Sequence, residues 1–316
     1  MLPSSELSHT LDNLPPFFDN HSRAMQTAAQ AALVAGRIIK DGYQQVHQID
    51  SKEVGDLVSR VDFDADRAAT DVIQSASSLP ILSEELSPET DDTNTKMWVV
   101  DPLDGSTAYL MAASPRLPSV LISICDQGHP ILGLTYFPLT GEWFYAEKEL
   151  GAWKNGESLK LAGREVALKE CWVEVNQYGN AKFETDFVGN LKTNLRSADG
   201  CQIMTSNFPH AGVAMRVAED PNGIRAAVHD NNPASVKQGP WDIAANQIIF
   251  EEAGGVFVDP DLQRTSPFNP RPIVIAPTMK LAKQIANLGT TKKHLKQVTG
   301  DAVEASAFAA MNSGEA

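Results

Sequence analysis

The sequence predicts a layered protein of helices and sheets, α+β in its first half and α/β in its second. Three observations predict it. Apolar residues recur at spacings of three or four across residues 22 to 43, as on one face of a helix. Residues 118 to 160 alternate short apolar runs with turn signals, as a β-meander does. Beyond about residue 165, strand-like runs alternate with helical stretches, which places sheets against helices.

In the first helix the repeating positions are Met25, Ala28, Ala32, Ala35 and Ile39. A second helix is expected from Ser59 to about Ser77, because Ser59 followed by Asp62 makes a capping-box pair. "LPILSEE" reads as a short strand ending in acids, and "KMWVV" as another. The meander strands are "SVLISICD", "ILGLTYF" and "EWFYAEK", divided at "QGHP" and "LTGE", with Asn155-Gly156 as a further turn. In the second half "CWVEVNQ", "IRAAVH", "GVFVD" and "PIVIAP" read as strands. Helices are expected near 182–191, 208–219, 242–253 and 278–288. The expected organisation is a flexible arm over 1–21, in which "LPPFF" docks on the body, an α+β domain over 22–165, an α/β domain over 166–290 and a tail over 291–316.

The 316 residues, 42% apolar and 21% charged, are enough to bury a real core. Apolar runs stay far below the ~20 residues of a membrane span. The N-terminus lacks a basic start followed by an apolar stretch, so no secretory leader is expected. Cys125, Cys171 and Cys201 are odd in number and widely spaced, which favours reduced thiols and a cytoplasmic location. A formal charge of −14 with no basic stripe excludes a nucleic-acid partner. It also repels a small phosphorylated substrate unless the site brings positive charge of its own.

Four acidic clusters are the candidate functional residues. Asp62, Asp64 and Asp66 are spaced like a calcium loop, but Arg67 stands where that loop needs Gly and Ile73 where it needs Glu. A helix N-terminus that favours negative charge accounts for them. Glu84-Glu85 taken alone is a solvated loop. Asp101 and Asp104, in "WVVDPLDGST", sit at a strand end with Pro102 and Gly105 beside them, a plain turn if nothing else. Asp242 starts a helix, with an N-cap as its default role. Together the clusters say more, because acids gathered at strand ends and helix starts mark the usual edge for a site in layered folds. Oxygen ligands with no His or Cys suit a hard cation, and Mg²⁺ above all.

"DPLDGST", with "SEE" upstream and "WDIAANQIIFEEAGG" downstream, resembles the inositol monophosphatase family of magnesium-dependent, lithium-sensitive phosphatases. Fructose-1,6-bisphosphatase and 3′(2′),5′-bisphosphate nucleotidase are its relatives. The resemblance implies an αβαβα sandwich of the sugar-phosphatase type and two or three Mg²⁺ ions. It places the first ion on Glu84, Asp101 and the Leu103 carbonyl, the second on Asp101, Asp104 and Asp242, and a third near Glu84. It gives Gly105 and Ser106 as phosphate-binding amides, with Thr107 beside them. It pairs Asp62 with the Ser106 hydroxyl, so that Asp62, Glu84 and Ser106 prepare the attacking water. Glu85 matches a second family Glu, and Lys52 lies on a segment that is mobile in relatives. A homodimer is implied on the same basis.

Three departures bear on the substrate. Ser106 stands where the family commonly has Thr, which keeps the hydroxyl. Thr107 stands where nucleotidases often have Lys. "TSNFPHAGVAMRVAED" and "HDNNPASVKQGPWD" replace the family's small-residue turn and ring-hydroxyl Glu, with Ser235 near the position of that Glu, so His210 and Lys237 become candidate substrate contacts, each with a plain loop or packing role as the alternative. The expected activity is Mg²⁺-dependent hydrolysis of a phosphate monoester on a small polyol or sugar. A bisphosphatase acting on 3′-phosphoadenosine 5′-phosphate or fructose-1,6-bisphosphate is the first alternative, and a non-catalytic ligand-binding regulator the second.

Overall fold

The computed structural model describes residues 14–45, 49–53, 56–87, 89–90, 92–114, 118–177, 184–196, 201–206, 209–231, 239–269 and 271–291. The candidate positions Ser235 and Lys237, and the tail beyond 291, lie outside them. Lys52 lies on β1 (Ile49–Glu53), with its side chain outside the described set.

Two helices open the chain. α1 (Arg23–Gly42) is capped by Ser22, whose Oγ accepts from the Met25 amide at 3.1 Å. α2 (Arg60–Ala76) starts with the expected capping box, in which Ser59 N donates to Asp62 Oδ2 at 2.8 Å. Between them β1 and β2 (Asp56–Ser59) form an antiparallel hairpin that periodicity did not reveal.

The main sheet has seven strands in the order β3-β4-β5-β6-β7-β8-β9. These are β3 (Ile81–Ser83), β4 (Met97–Asp104), β5 (Ser119–Asp126), β6 (His129–Phe137), β7 (Glu142–Glu147), β8 (Gly151–Lys154) and β9 (Glu157–Leu159). Only β3 and β4 run parallel, and the rest is the expected meander. A short helix, α3 (Ser106–Leu110), follows β4. In the second half a five-stranded sheet has the order β11-β10-β12-β14-β13, built from β10 (Trp172–Asn176), β11 (Gln202–Ser206), β12 (Arg225–His229), β13 (Val256–Val258) and β14 (Ile273–Ala276). Its helices are α4 (Asp186–Arg196), α5 (His210–Ala218), α6 (Ala244–Glu252) and α7 (Met279–Thr290). Strand β11 was not read from the sequence. Its side chains are mostly only part-buried, so it lacks an apolar signature.

The packing forms five layers. One face of the large sheet, with Val100, Ile122 and Leu134, packs on α1 and α2 through Ala32, Ala65 and Ala69. Its other face, with Leu121 and Phe144, meets α5 and α6, and these also cover Ala227 and Ile275 of the second sheet. Val173, Val175 and Val228 on the far face of that sheet pack on α4 and α7. The alternation of Ala227 and Val228 between two cores is the two-residue period of a strand buried on both faces. The arm is packed where it is described: Phe18 is fully buried against Trp143 and Tyr145, as "LPPFF" suggested. Among the described residues no helix is long and apolar enough to cross a membrane.

Gly133 on β6 sets how closely α6 approaches the sheet. A Cβ there would stand 2.4 Å from Ile248 Cγ2 and 2.6 Å from the Ala245 carbonyl oxygen. Gly133→Ala is therefore expected to destabilise the protein by about 2 kcal/mol through overpacking. Urea unfolding measures this, and a wild-type midpoint would contradict the packing described.

Candidate metal centre

The site begins with an irregularity in β4. Its pairing with β5 runs regularly from Met97 opposite Cys125 to Asp101 opposite Leu121, then resumes with Asp104 opposite Ser119. Three steps along β4 thus match two along β5, which is a β-bulge. In a regular strand, residues three apart point to opposite faces. The extra residue lets Asp101 and Asp104 project to the same side, and Pro102 occupies the break, where no ladder N–H is required.

Asp242 reaches the same place from the second half. The sequence suggested an N-cap at the start of a helix. Instead Asp242 ends a 3₁₀ turn (Pro240–Asp242) ahead of α6, and its Oδ2 accepts from the Gly239 amide at 2.7 Å. Asn246 holds this turn to the sheet. Its Nδ2 donates to the Asp242 carbonyl at 3.0 Å, and its Oδ1 accepts from Thr135 Oγ1 of β6 at 2.9 Å. Carboxylate oxygens of Asp101, Asp104 and Asp242 lie within 4.8 Å of one another.

Glu84 completes the acidic rim. It follows β3, and its amide donates to the Val100 carbonyl at 3.1 Å, which carries the β3–β4 pairing one residue further. Burial first, then the charges of Glu84, Asp104 and Asp242, hold the Asp101 carboxyl well above the ordinary carboxylate range. Asp104 is pushed up to about 7, mainly by burial and further by Glu84, against hydrogen bonds that favour its charged form. Two of these come from Ser119 Oγ at 3.2 Å and the Ala211 amide at 3.1 Å, both to Oδ2.

This arrangement fits a divalent cation. Asp101 is fully buried, its Oδ1 accepts from the Leu103 amide at 3.0 Å, and its Oδ2 has no hydrogen-bond partner among the described residues. A buried carboxylate oxygen left without a donor calls for a counter-charge. The donor set is all oxygen, as hard cations require.

The remaining predicted residues fall around this core. Gly105 takes φ +88° where β4 turns into α3, a conformation that favours glycine. Ser106 and Thr107 open α3 and are half-buried. The Ser106 hydroxyl donates to the Leu103 carbonyl at 3.1 Å, not to Asp62 as the resemblance implied. Asp62 is claimed by its own helix start, where Ser59 N and Oγ both donate to Oδ2; Oδ1 is buried with no hydrogen-bond partner among the described residues. His210 heads α5, is buried, and stacks on His229 with ring centroids 4.1 Å apart. Burial lowers its pKa to about 3, so the ring is neutral.

Sequence reasoning missed several supports: Ser119, the Ala211 amide, Asn246, and the row of Asn176, Ser206 and His229. That row lies in register at the ends of β10, β11 and β12, joined by hydrogen bonds of 3.1 and 3.0 Å. The available signal was the string of polar residues closing each strand, where layered α/β sheets place their sites.

A model of the inositol monophosphatase family matches residues 20–294. The chain belongs to the inositol monophosphatase family. It is a phosphoric monoester hydrolase of that family, whose members depend on magnesium. It is 31% identical over 247 residues to inositol monophosphatase 1 of Solanum lycopersicum, covering 74% of this chain and 83% of that one. It is 26% identical over 242 residues to a fructose-1,6-bisphosphatase/inositol-1-monophosphatase of Aquifex aeolicus, covering 76% and 86%. A solved inositol monophosphatase/NADP phosphatase, complexed with Mg²⁺ and phosphate, superposes with a TM-score of 0.66 at 18% identity, covering 81% of this chain and 91% of that one. The αβαβα fold of the family is the fold described above.

The raised carboxyls give this family member a pH signature. Asp104 moves from an ordinary 3.8 to about 7 on folding. Between those values the folded state holds the proton that the unfolded state has lost. This contribution to stability is present at low pH and is lost as the pH rises through about 7. A cation that takes the ionised form removes the penalty. Added Mg²⁺ is expected to raise the melting temperature more at about pH 8 than at about pH 5. Calorimetry at the two pH values checks this, and equal shifts would count against the assignment.

Proposed function

We propose that the chain hydrolyses the phosphate monoester of a small polyol or sugar, inositol phosphate among them, at the centre formed by Asp101, Asp104 and Asp242. The observation that carries this reading is the convergence of carboxylate oxygens of those three residues within 4.8 Å of one another, with Asp101 Oδ2 lacking a hydrogen-bond partner among the described residues. Asp101 and Asp104, with Glu84 and the Leu103 carbonyl on one side and Asp242 on the other, would hold two Mg²⁺ ions, and a third would sit near Glu84. Bound there, magnesium supplies positive charge at the phosphoryl oxygens and at the leaving oxygen, and lowers the pKa of water.

The chain's own residues do the rest. The amides of Gly105 and Ser106 orient the phosphate, with Thr107 beside them. The Ser106 hydroxyl, oriented by Glu84 or Asp62 once substrate binds, positions the attacking water and helps take its proton; Ser59 occupies only Oδ2 of Asp62. Asp104, fixed by Ser119 and the Ala211 amide, would hold with Asp242 the ion that supplies positive charge where the alkoxide departs. The neutral His210 ring, stacked on His229, is a candidate fixed wall for the substrate. The bound ions also explain how a chain of charge −14 attracts a phosphate. A reducing cytoplasm suits the three free thiols.

The second reading is a bisphosphate substrate, favoured by the double name of the Aquifex aeolicus relative. Phosphate release across a panel of sugar, polyol and nucleotide phosphates, with and without Mg²⁺, decides between them. A bisphosphate preference that survives Lys237→Ala would exclude Lys237 as the contact for a second phosphate. Asp104→Asn and Asp242→Asn are each expected to lower turnover at least ~10²-fold while the fold persists. Wild-type turnover in either variant would refute the site.

A further inference from the structure

Asp66 is the member of the "DFDAD" run that neither the helix start nor the metal centre absorbs. Asp62 caps α2 and Asp64 pairs with Arg60 at the surface. Asp66 lies one turn beyond Asp62 on the same face and is fully buried. Its Oδ2 accepts from the Glu85 amide at 3.0 Å and from the Leu86 amide at 3.1 Å, 19 and 20 residues further along the chain. Those two amides come immediately after Glu84. On its other side Glu84 is tied to β4 through its own amide and the Val100 carbonyl.

The turn that carries Glu84 is therefore fixed at both ends, to the main sheet and to a buried carboxylate on α2. Amide bonds to an ionised acceptor are stronger than neutral ones and set direction more tightly. A ligand on a turn needs such support, because outer hydrogen bonds decide whether a ligand oxygen arrives where the ion sits.

We propose that Asp66 is a positioning residue for the metal centre: it fixes the Glu84–Leu86 turn so that the Glu84 carboxylate faces Asp101 and Asp104. The inference rests on Glu84 being a metal ligand, as read above. A purely structural tie between α2 and β3 would change stability alone. A positioning role changes metal affinity, and does so through Glu84.

The test is calorimetric titration of Mg²⁺ into the metal-free protein, alongside the Mg²⁺ dependence of turnover and a thermal melt. Asp66→Ala is expected to weaken Mg²⁺ binding at least ~10-fold. Asp66→Asn, which keeps one acceptor oxygen without the charge, is expected to weaken it ~3-fold. In both, the half-saturating Mg²⁺ concentration rises by a larger factor than turnover at saturating Mg²⁺ falls. In a Glu84→Gln background, Asp66→Asn should add less than ~2-fold, because both changes act on one ligand. Lowered melting temperature with unchanged Mg²⁺ affinity in Asp66→Asn, or full additivity with Glu84→Gln, overturns the proposal. The Asn variant and the cycle decide the matter even if the Ala variant fails to fold. Unchanged affinity in Glu84→Gln alone would instead overturn the reading of Glu84 as a ligand.

Discussion

Two carboxylates held side by side in a dry strand repel each other, and the rest of the molecule is arranged around that cost. The bulge in β4 forces Asp101 and Asp104 onto one side, where burial and the charge of Glu84 push both carboxyls upward, Asp101 also by the charges of Asp104 and Asp242. Nothing in a turn or a helix cap requires this. Had the strand stayed regular, the two acids would point to opposite faces and neither would face the other's charge. The irregularity is thus a stored electrostatic demand, and a divalent cation is what meets it.

The layers serve that demand. The main sheet supplies the bulged strand and, through β3, the turn bearing Glu84. The second half supplies Asp242 and the Ala211 amide. Elements far apart in the chain meet because α5 and α6 lie between the two sheets and share one core with both. The close seat of α6 on Gly133, and the link from Thr135 through Asn246 to the Asp242 turn, join the two halves of the ligand set with little slack. A centre built in this way is held to within the small tolerances that metal chemistry needs.

Much of this was legible from the residues. Strong periodicity exposed α1 and α2, and the meander strands were found because apolar runs and turn residues alternate cleanly there. The "DPLDGST" and "WDIAAN" segments pointed to the acids that meet. Other features left no such trace. The β1–β2 hairpin and β11 lack an apolar pattern. The bulge is a matter of register against β5, which no local window contains. Asp62 and Asp66 have the same residue type and differ in partner only because one lies at the helix start and the other faces the Glu84 turn. Asp242 looked like an N-cap because an acid just ahead of an apolar helix reads as one whether or not it closes a 3₁₀ turn. Long-range hydrogen bonds, such as those of Ser119 and Asn246, are set by the packed layers and not by neighbours in sequence.

The central claim is that Asp101, Asp104 and Asp242 share a divalent ion. Manganese, which scatters X-rays anomalously and takes the same oxygen ligands as magnesium, tests it most directly. Crystals grown with Mn²⁺ should show an anomalous peak in contact with carboxylate oxygens of all three residues, and that peak should vanish in Asp104→Asn. A map with no ion there, or with its ions bound only elsewhere on the acidic surface, would contradict the account.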